Sequence, residues 1–207
     1  MGLINASGSF TRYLVEGPIP EDYPEEFAKR IARYAFRYLD DSSQDERSVG
    51  WVSILDTLDS SFPGREYFKE PYLALSWRVD RRGVPSQALN QHCRESERKI
   101  KEAESLEYLP RARRQEIREI VKARLLSRAI PRTQCYDMIW NLQTGVLIFG
   151  ATGSKLCDEF AEFFFSCFDL HLKSIFPHFL ASQVLEREGM APDLLDGLEF
   201  SITGRTK

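Results

Sequence analysis

The sequence predicts an α+β protein: a mainly antiparallel sheet with packed helices and a projecting antiparallel helical hairpin at about 85–126. Three observations predict it. YLALSWRVD (72–80) puts Leu73, Leu75, Trp77 and Val79 at alternating positions, the period of a half-buried strand. From 136 the alternation repeats at Tyr136, Met138, Trp140 and Leu142, turns at Thr144-Gly145 and returns as an apolar run, which describes a second strand pair. Between them lie two long charged segments, 85–107 and 111–126, each with a narrow apolar seam. That is the pattern of helices that pack on one neighbour and otherwise face water.

The elements follow in chain order. SFTRYLVEG (9–17) has strand composition and runs into the breaker GPIP (17–20). PEEFAKRIARYAFRYL (24–39) fits a helix, with Phe27, Ile31, Tyr34 and Tyr38 on one face and Glu25 and Glu26 in the first turn, where the helix dipole favours negative charge. DDSSQDER (40–47) is a polar connection, GWVSIL (50–55) a strand, and SSFPGREYFKEP (60–71) a loop turning at Pro63-Gly64. The first charged helix carries the seam Leu89, Cys93, Ser96, Ile100 and Ala103. Pro110 suits the first position of the second, where its missing N–H would be unpaired anyway. SKLCDEFAEFFFSCFDL (154–170) holds enough phenylalanine to bury more than one helix face. The remainder contains one short helix around SQVLERE and an acidic section. The expected organisation is one domain over 1–175 that carries the hairpin, then a short C-terminal extension, 176–207.

At 43% hydrophobic residues, with 14 Phe and 8 Tyr, the chain can bury a sizeable core without staples. The start shows no basic region followed by an apolar run, so no secretory signal is expected; MGLINAS is loosely like a myristoylation motif at Gly2, and a flexible start outweighs it. MIWNLQTGVLIFGATGS (138–154) is broken by Asn141, Gln143 and Gly145, which favours a hairpin over a bilayer helix. Cys93, Cys135, Cys157 and Cys167 are widely spaced and read as free buried thiols in a reducing cytoplasm.

Motifs of catalysis are absent. GATGSK (150–155) lacks the first glycine of a phosphate loop and reads as a strand-to-helix turn capped by Ser154 or Thr152. Glu97-Arg98-Lys99 matches part of a nuclease signature, but on a helix residues two apart diverge by about 200°. His92, His171 and His178 are too scattered for a metal site. No catalytic residue, metal or cofactor is expected.

One feature survives. PRARRQEIREIVKARLLSRAIPR (110–132) sums to +6 in a chain of net charge -3, so the rest sums to -9. Three readings are open: contact with nucleic acid, a dock for an acidic surface, or a solvated helix face. Ile117, Ile120, Val121 and Leu125 make an apolar stripe, which leaves Arg111, Arg118 and Lys122 on a neighbouring exposed ridge. Arg124, Arg128 and Arg132 cluster where the helix gives way to the next strand, with Arg113 and Arg114 in support. Guanidinium forks suit phosphate oxygens.

LLSRAIPR (125–132) followed by DMIWNLQTGVLIFGATGSKLCDEF resembles the RdgC family of recombination-associated bacterial proteins. The matching residues are Leu125, Leu126, Arg128, Ala129, Arg132, Trp140, Gly145, Ala151 and Thr152, with Gly50-Trp51-Val52 and Val84-Pro85 upstream. The likeness runs in order over about residues 8–175; Ser127 and Ile130 stand where the family has Pro and Phe. It implies a homodimer that binds double-stranded DNA as a ring without sequence preference and restrains the strand-exchange recombinase. Typical members are longer at the C-terminus, which leaves ring closure open and an open dimer or an adaptor role as alternatives to it. Some members are called exonucleases, and no residue cluster here supports that. The resulting expectation is a non-catalytic, sequence-independent double-stranded DNA-binding protein, cytoplasmic and nucleoid-associated, with no membrane contact. Its phosphate contacts would be Arg111, Arg113, Arg114, Arg118, Lys122, Arg124, Arg128 and Arg132. The alternative is a dimeric protein-interaction module that has lost DNA binding.

Overall fold

Alternating apolar residues on successive segments give one sheet, because each such segment has an apolar face to bury and backbone groups to pair. The computed structural model describes residues 8–40, 45–191 and 195. The Gly2 motif, the middle of the polar connection (41–44) and most of the acidic C-terminal section lie outside them. The strands are β1 (Thr11–Glu16), β2 (Arg47–Ser53), β3 (Phe68–Lys69), β4 (Tyr72–Arg81), β5 (Arg132–Asn141), β6 (Val146–Phe149) and β7 (His171–Ser174). They pair antiparallel in the order β2-β4-β5-β6-β1-β7, with β3 against β4. Around this sheet stand α1 (Tyr23–Arg33), α2 (Ser86–Glu104), α3 (Arg111–Leu126), α4 (Ser154–Phe168) and α5 (Pro177–Arg187).

The sheet's main core is aromatic. Trp51, Trp77 and Trp140 are fully buried on the face that meets α1 and α4, with Phe27, Phe149, Phe160, Phe164 and Phe168. Phe149 stacks flat on Phe160 at 3.8 Å, and the Trp51 indole N–H donates to Cys167 Sγ at 3.2 Å. Burial of each such side chain contributes about 1.5–3 kcal/mol. The α4 phenylalanines divide: Phe160, Phe164 and Phe168 are buried, Phe163 packs at the edge, and Phe165 is exposed and stacks on His171.

Several expectations need correction. The helix expected over 24–39 ends at Arg33. Ala35 then bridges in parallel to Trp51, and the Phe36 N–H donates to the Trp51 carbonyl at 2.9 Å. Gly50 permits this, since a Cβ there would overlap the backbone of Phe36; Tyr38 therefore lies exposed rather than on the buried face. Second, β4 is buried on both faces. Ser76, Arg78 and Asp80, which alternation assigns to water, lie inside. Arg78 donates twice to Asp80 (Nε–Oδ1 and Nη2–Oδ2, both 2.9 Å) and to the Thr57 carbonyl at 3.1 Å. The rings of Phe36 and Tyr38 lie 4.2 and 4.9 Å from its guanidinium. A buried charge is tolerable only when partnered in this way. Third, the cap of α4 is Gly153 and has no side-chain cap bond, and Pro110 is the cap rather than the first residue of α3. Fourth, all four cysteines are free, but only Cys93 and Cys167 are buried; Cys135 and Cys157 are half-buried.

The two charged helices pack against each other. Arg113 pairs with Glu104 near the connecting loop while Arg118 bonds Asn90 further along, so α2 and α3 run antiparallel. Leu89, Cys93, Leu109, Ile117 and Val121 form a cluster of their own, separate from the sheet's. Its seam is closed at Leu89 and Cys93 and opens toward Ile100 and Ala103. α2 stops at Glu104, short of the expected 107, because Ser105 turns left-handed at φ +52°. Ile120, expected in the stripe of α3, is exposed, and Leu126 is buried instead.

Candidate nucleic-acid interface

The eight basic residues of 110–132 are all exposed, and their surroundings divide them. Acidic partners hold two: Arg113 bonds Glu116 at 2.7 Å with Glu104 beside it, and Lys122 bonds Glu46 at 2.5 Å. Two more have neutral partners. Arg118 donates to Asn90 Oδ1 at 2.9 Å, and Arg114 lies 5.6 Å from the Tyr108 ring. Arg111, Arg124, Arg128 and Arg132 have no side-chain hydrogen bond or ion pair among the described residues. The last three descend from the final turns of α3 into the first residue of β5.

Sheet register adds two residues that charge patterning along the chain did not single out. Arg47 stands directly opposite Arg81, and Arg81 directly opposite Arg132. The end residues of β2, β4 and β5 thus form a row of three arginines at the root of the hairpin. Adjacent strands lie about 4.8 Å apart, so the row spans about 10 Å. It shares a face with Val49, Val79 and Tyr136 and is met from α4 by Glu159. Glu159 Oε2 accepts from Arg47 at 2.6 Å and from Arg81 at 3.1 Å. Burial raises the pKa of the Tyr136 phenol, and Arg81 and Arg132 oppose that shift, which places both cations within electrostatic reach of the ring hydroxyl. A signal for the row was present: aligning Leu73 with Trp140 and Trp77 with Tyr136 carries Arg81 onto Arg132.

The motifs set aside on sequence grounds stay apart in space. His92 sits on α2 beside Glu95, while His171 opens β7. Among the described residues, no group of three or more His, Cys, Asp or Glu side chains converges as a metal site would require. No described helix is long and apolar enough to cross a membrane.

A family model described as "Putative exonuclease, RdgC" matches residues 11–185, spanning the whole sheet, both hairpin helices and most of α5. The chain belongs to the RdgC family. No curated protein matches it. RdgC membership associates the chain with recombination and the nucleoid. The RdgC description carries an exonuclease label, and the family is not established as catalytic.

Proposed function

We propose that this protein is a non-catalytic, sequence-independent double-stranded DNA-binding protein that acts as a homodimer in recombination or on the nucleoid and modulates a recombinase. One observation carries the DNA-binding reading. In a chain of net charge -3, Arg111, Arg124, Arg128 and Arg132 stand exposed without acidic partners among the described residues, three of them in continuous descent along α3 into β5. An exposed cation run kept clear of carboxylates suits phosphate oxygens, whereas a merely solvated face would be laced with intrahelical pairs as Arg113 is. Phosphate contacts position a protein without reading sequence. The hairpin's separate cluster fits an element that reaches out from the sheet along a duplex. The homodimer and the recombinase partner follow from family likeness.

Fluorescence anisotropy with a random-sequence duplex across a salt series tests this. Neutralising about four to five phosphates per protomer gives a slope of log K on log salt of about -4. Replacing Arg124, Arg128 and Arg132 together by glutamine is expected to remove most of that slope. No binding at low salt, or binding indifferent to salt, refutes the reading.

A second reading, a dimeric protein-interaction module without DNA binding, is favoured by the pairing of Lys122 with Glu46 and of Arg113 with Glu116. Charge reversal of Arg118, Lys122 and Arg128 separates the two. Unchanged DNA retention with loss of dimer in sedimentation supports the interaction module.

A further inference from the structure

The arginine row at the hairpin root has more positive charge than its surroundings explain. Like charges directly opposite on neighbouring strands are destabilising, and here two such pairs share one row. Among the described residues a single carboxylate answers them: Glu159 spends one oxygen on Arg47 and Arg81 together, and Arg132 has none. The row is left with a net +2. We propose that it is a seat for a backbone phosphate of double-stranded DNA, and that Glu159 is its built-in competitor, holding in the free protein two of the guanidinium forks that a phosphodiester takes in the complex. This rests on the DNA-binding reading above and extends it from the helical hairpin onto the sheet.

The geometry supports exchange. The Arg47 and Arg81 side chains are 40% and 49% exposed, so a ligand can reach them, and ion pairs of such exposure are weak. Glu159, only 20% exposed, is fixed by its helix, since the neighbouring Phe160 is fully buried against Trp51 and Trp77. Carboxylate and phosphodiester each carry one negative charge and accept the same bidentate fork. The phosphodiester has an advantage: it comes from outside, free to sit where Arg132 reaches it, while Glu159 is held over Arg47 and Arg81. Arg128 and Arg124 continue the cation path from Arg132 up α3, so a duplex lying on the hairpin would meet the row with its next phosphates.

The test uses the full chain and a random-sequence duplex, read by anisotropy across salt, with circular dichroism to verify the fold. Glu159→Gln keeps the shape and releases the forks. It is expected to tighten binding roughly 3- to 10-fold, as one more charge-assisted contact becomes available. Glu162→Gln removes the same charge one helical turn away, where Glu162 is exposed and makes no ion pair with the row among the described residues; it is expected to change affinity by less than about 2-fold through screened long-range charge alone. Arg132→Gln, which breaks no ion pair among the described residues, is expected to lower the salt slope by about 1. In an Arg47→Gln/Arg81→Gln background the gain from Glu159→Gln should vanish. Equal gains from Glu159→Gln and Glu162→Gln, or no gain from Glu159→Gln while the unaltered protein binds DNA, overturn the seat and leave the DNA-binding reading standing. Absence of salt-sensitive binding by the unaltered protein overturns both.

Discussion

The sheet buries Trp51, Trp77, Trp140 and a ring of phenylalanines, while the hairpin closes on Leu89, Cys93, Leu109, Ile117 and Val121 and leaves Leu106, Tyr108 and Ile120 in water. The two regions answer different physical demands. Long-range pairing of distant strands needs a large apolar gain to offset chain ordering. A helical hairpin closes one short loop and can be held by a thin seam, which frees its other faces for charge. Stability and charge are segregated here: the sheet holds the molecule together, and the hairpin with its root presents the arginines.

The largest expected effect tests the sheet's half of that contrast. Trp77→Ala removes the ring that packs on Phe149, Phe160 and Phe163, and should cost about 3–5 kcal/mol in urea unfolding followed by circular dichroism. A cost below about 1 kcal/mol would show that the aromatic cluster is not what holds the sheet together. Ile117→Ala, in the hairpin seam, should cost about 2–4 kcal/mol. Its loss of protection in hydrogen exchange should be confined to 86–126, with the sheet amides unmoved. Loss of protection throughout would show one cooperative unit in place of two.

A pH effect comes next. Burial pushes the Cys167 thiol up to about 12 from an ordinary 9.0, with the Trp51 hydrogen bond and Arg30 pulling the other way. The folded state therefore keeps a proton that the unfolded chain gives up, so this contribution is whole below about pH 9 and is lost as pH rises from there toward 12. Cys135 shifts in the same direction, and the buried Tyr13 phenol, also raised, adds its share only above its ordinary 10.0. Cys167→Ala should flatten the fall in melting temperature between about pH 9 and 10. An unchanged fall would assign it elsewhere. The smallest effect is that of Lys122→Ala, whose pair with Glu46 is about half exposed and is worth about 0–1 kcal/mol, measured by the same urea unfolding.

Much of the frame was legible in the chain because alternation along a strand and spacing along a helix are local properties. Leu73, Leu75, Trp77 and Val79 announced β4, and the seam at Leu89 and Cys93 announced a paired helix. What was not legible depended on partners far away in sequence. Arg78 and Asp80 read as a water-facing side of β4 because nothing in 72–80 tells that Phe36, Tyr38 and the Thr57 carbonyl will cover them. Tyr34 and Tyr38 continued a helical spacing that the chain abandons for a bridge to Trp51, a bridge made possible by a glycine on another strand. The candidate site divided the same way. The run of arginines along α3 was visible as local charge, whereas Arg47 and Arg81 belong to it only through cross-strand register, and Glu159 only through the placement of α4.

The burial of every tryptophan in the sheet has an optical consequence. The chain's 3 Trp are Trp51, Trp77 and Trp140, and all lie in that one cluster. Tryptophan emission from this protein is therefore a signal from the sheet alone, and the hairpin contributes nothing to it. Tyr108, exposed beside Arg114, is the aromatic ring the hairpin offers. A tryptophan placed there would light the second region and let the two be followed separately in one sample.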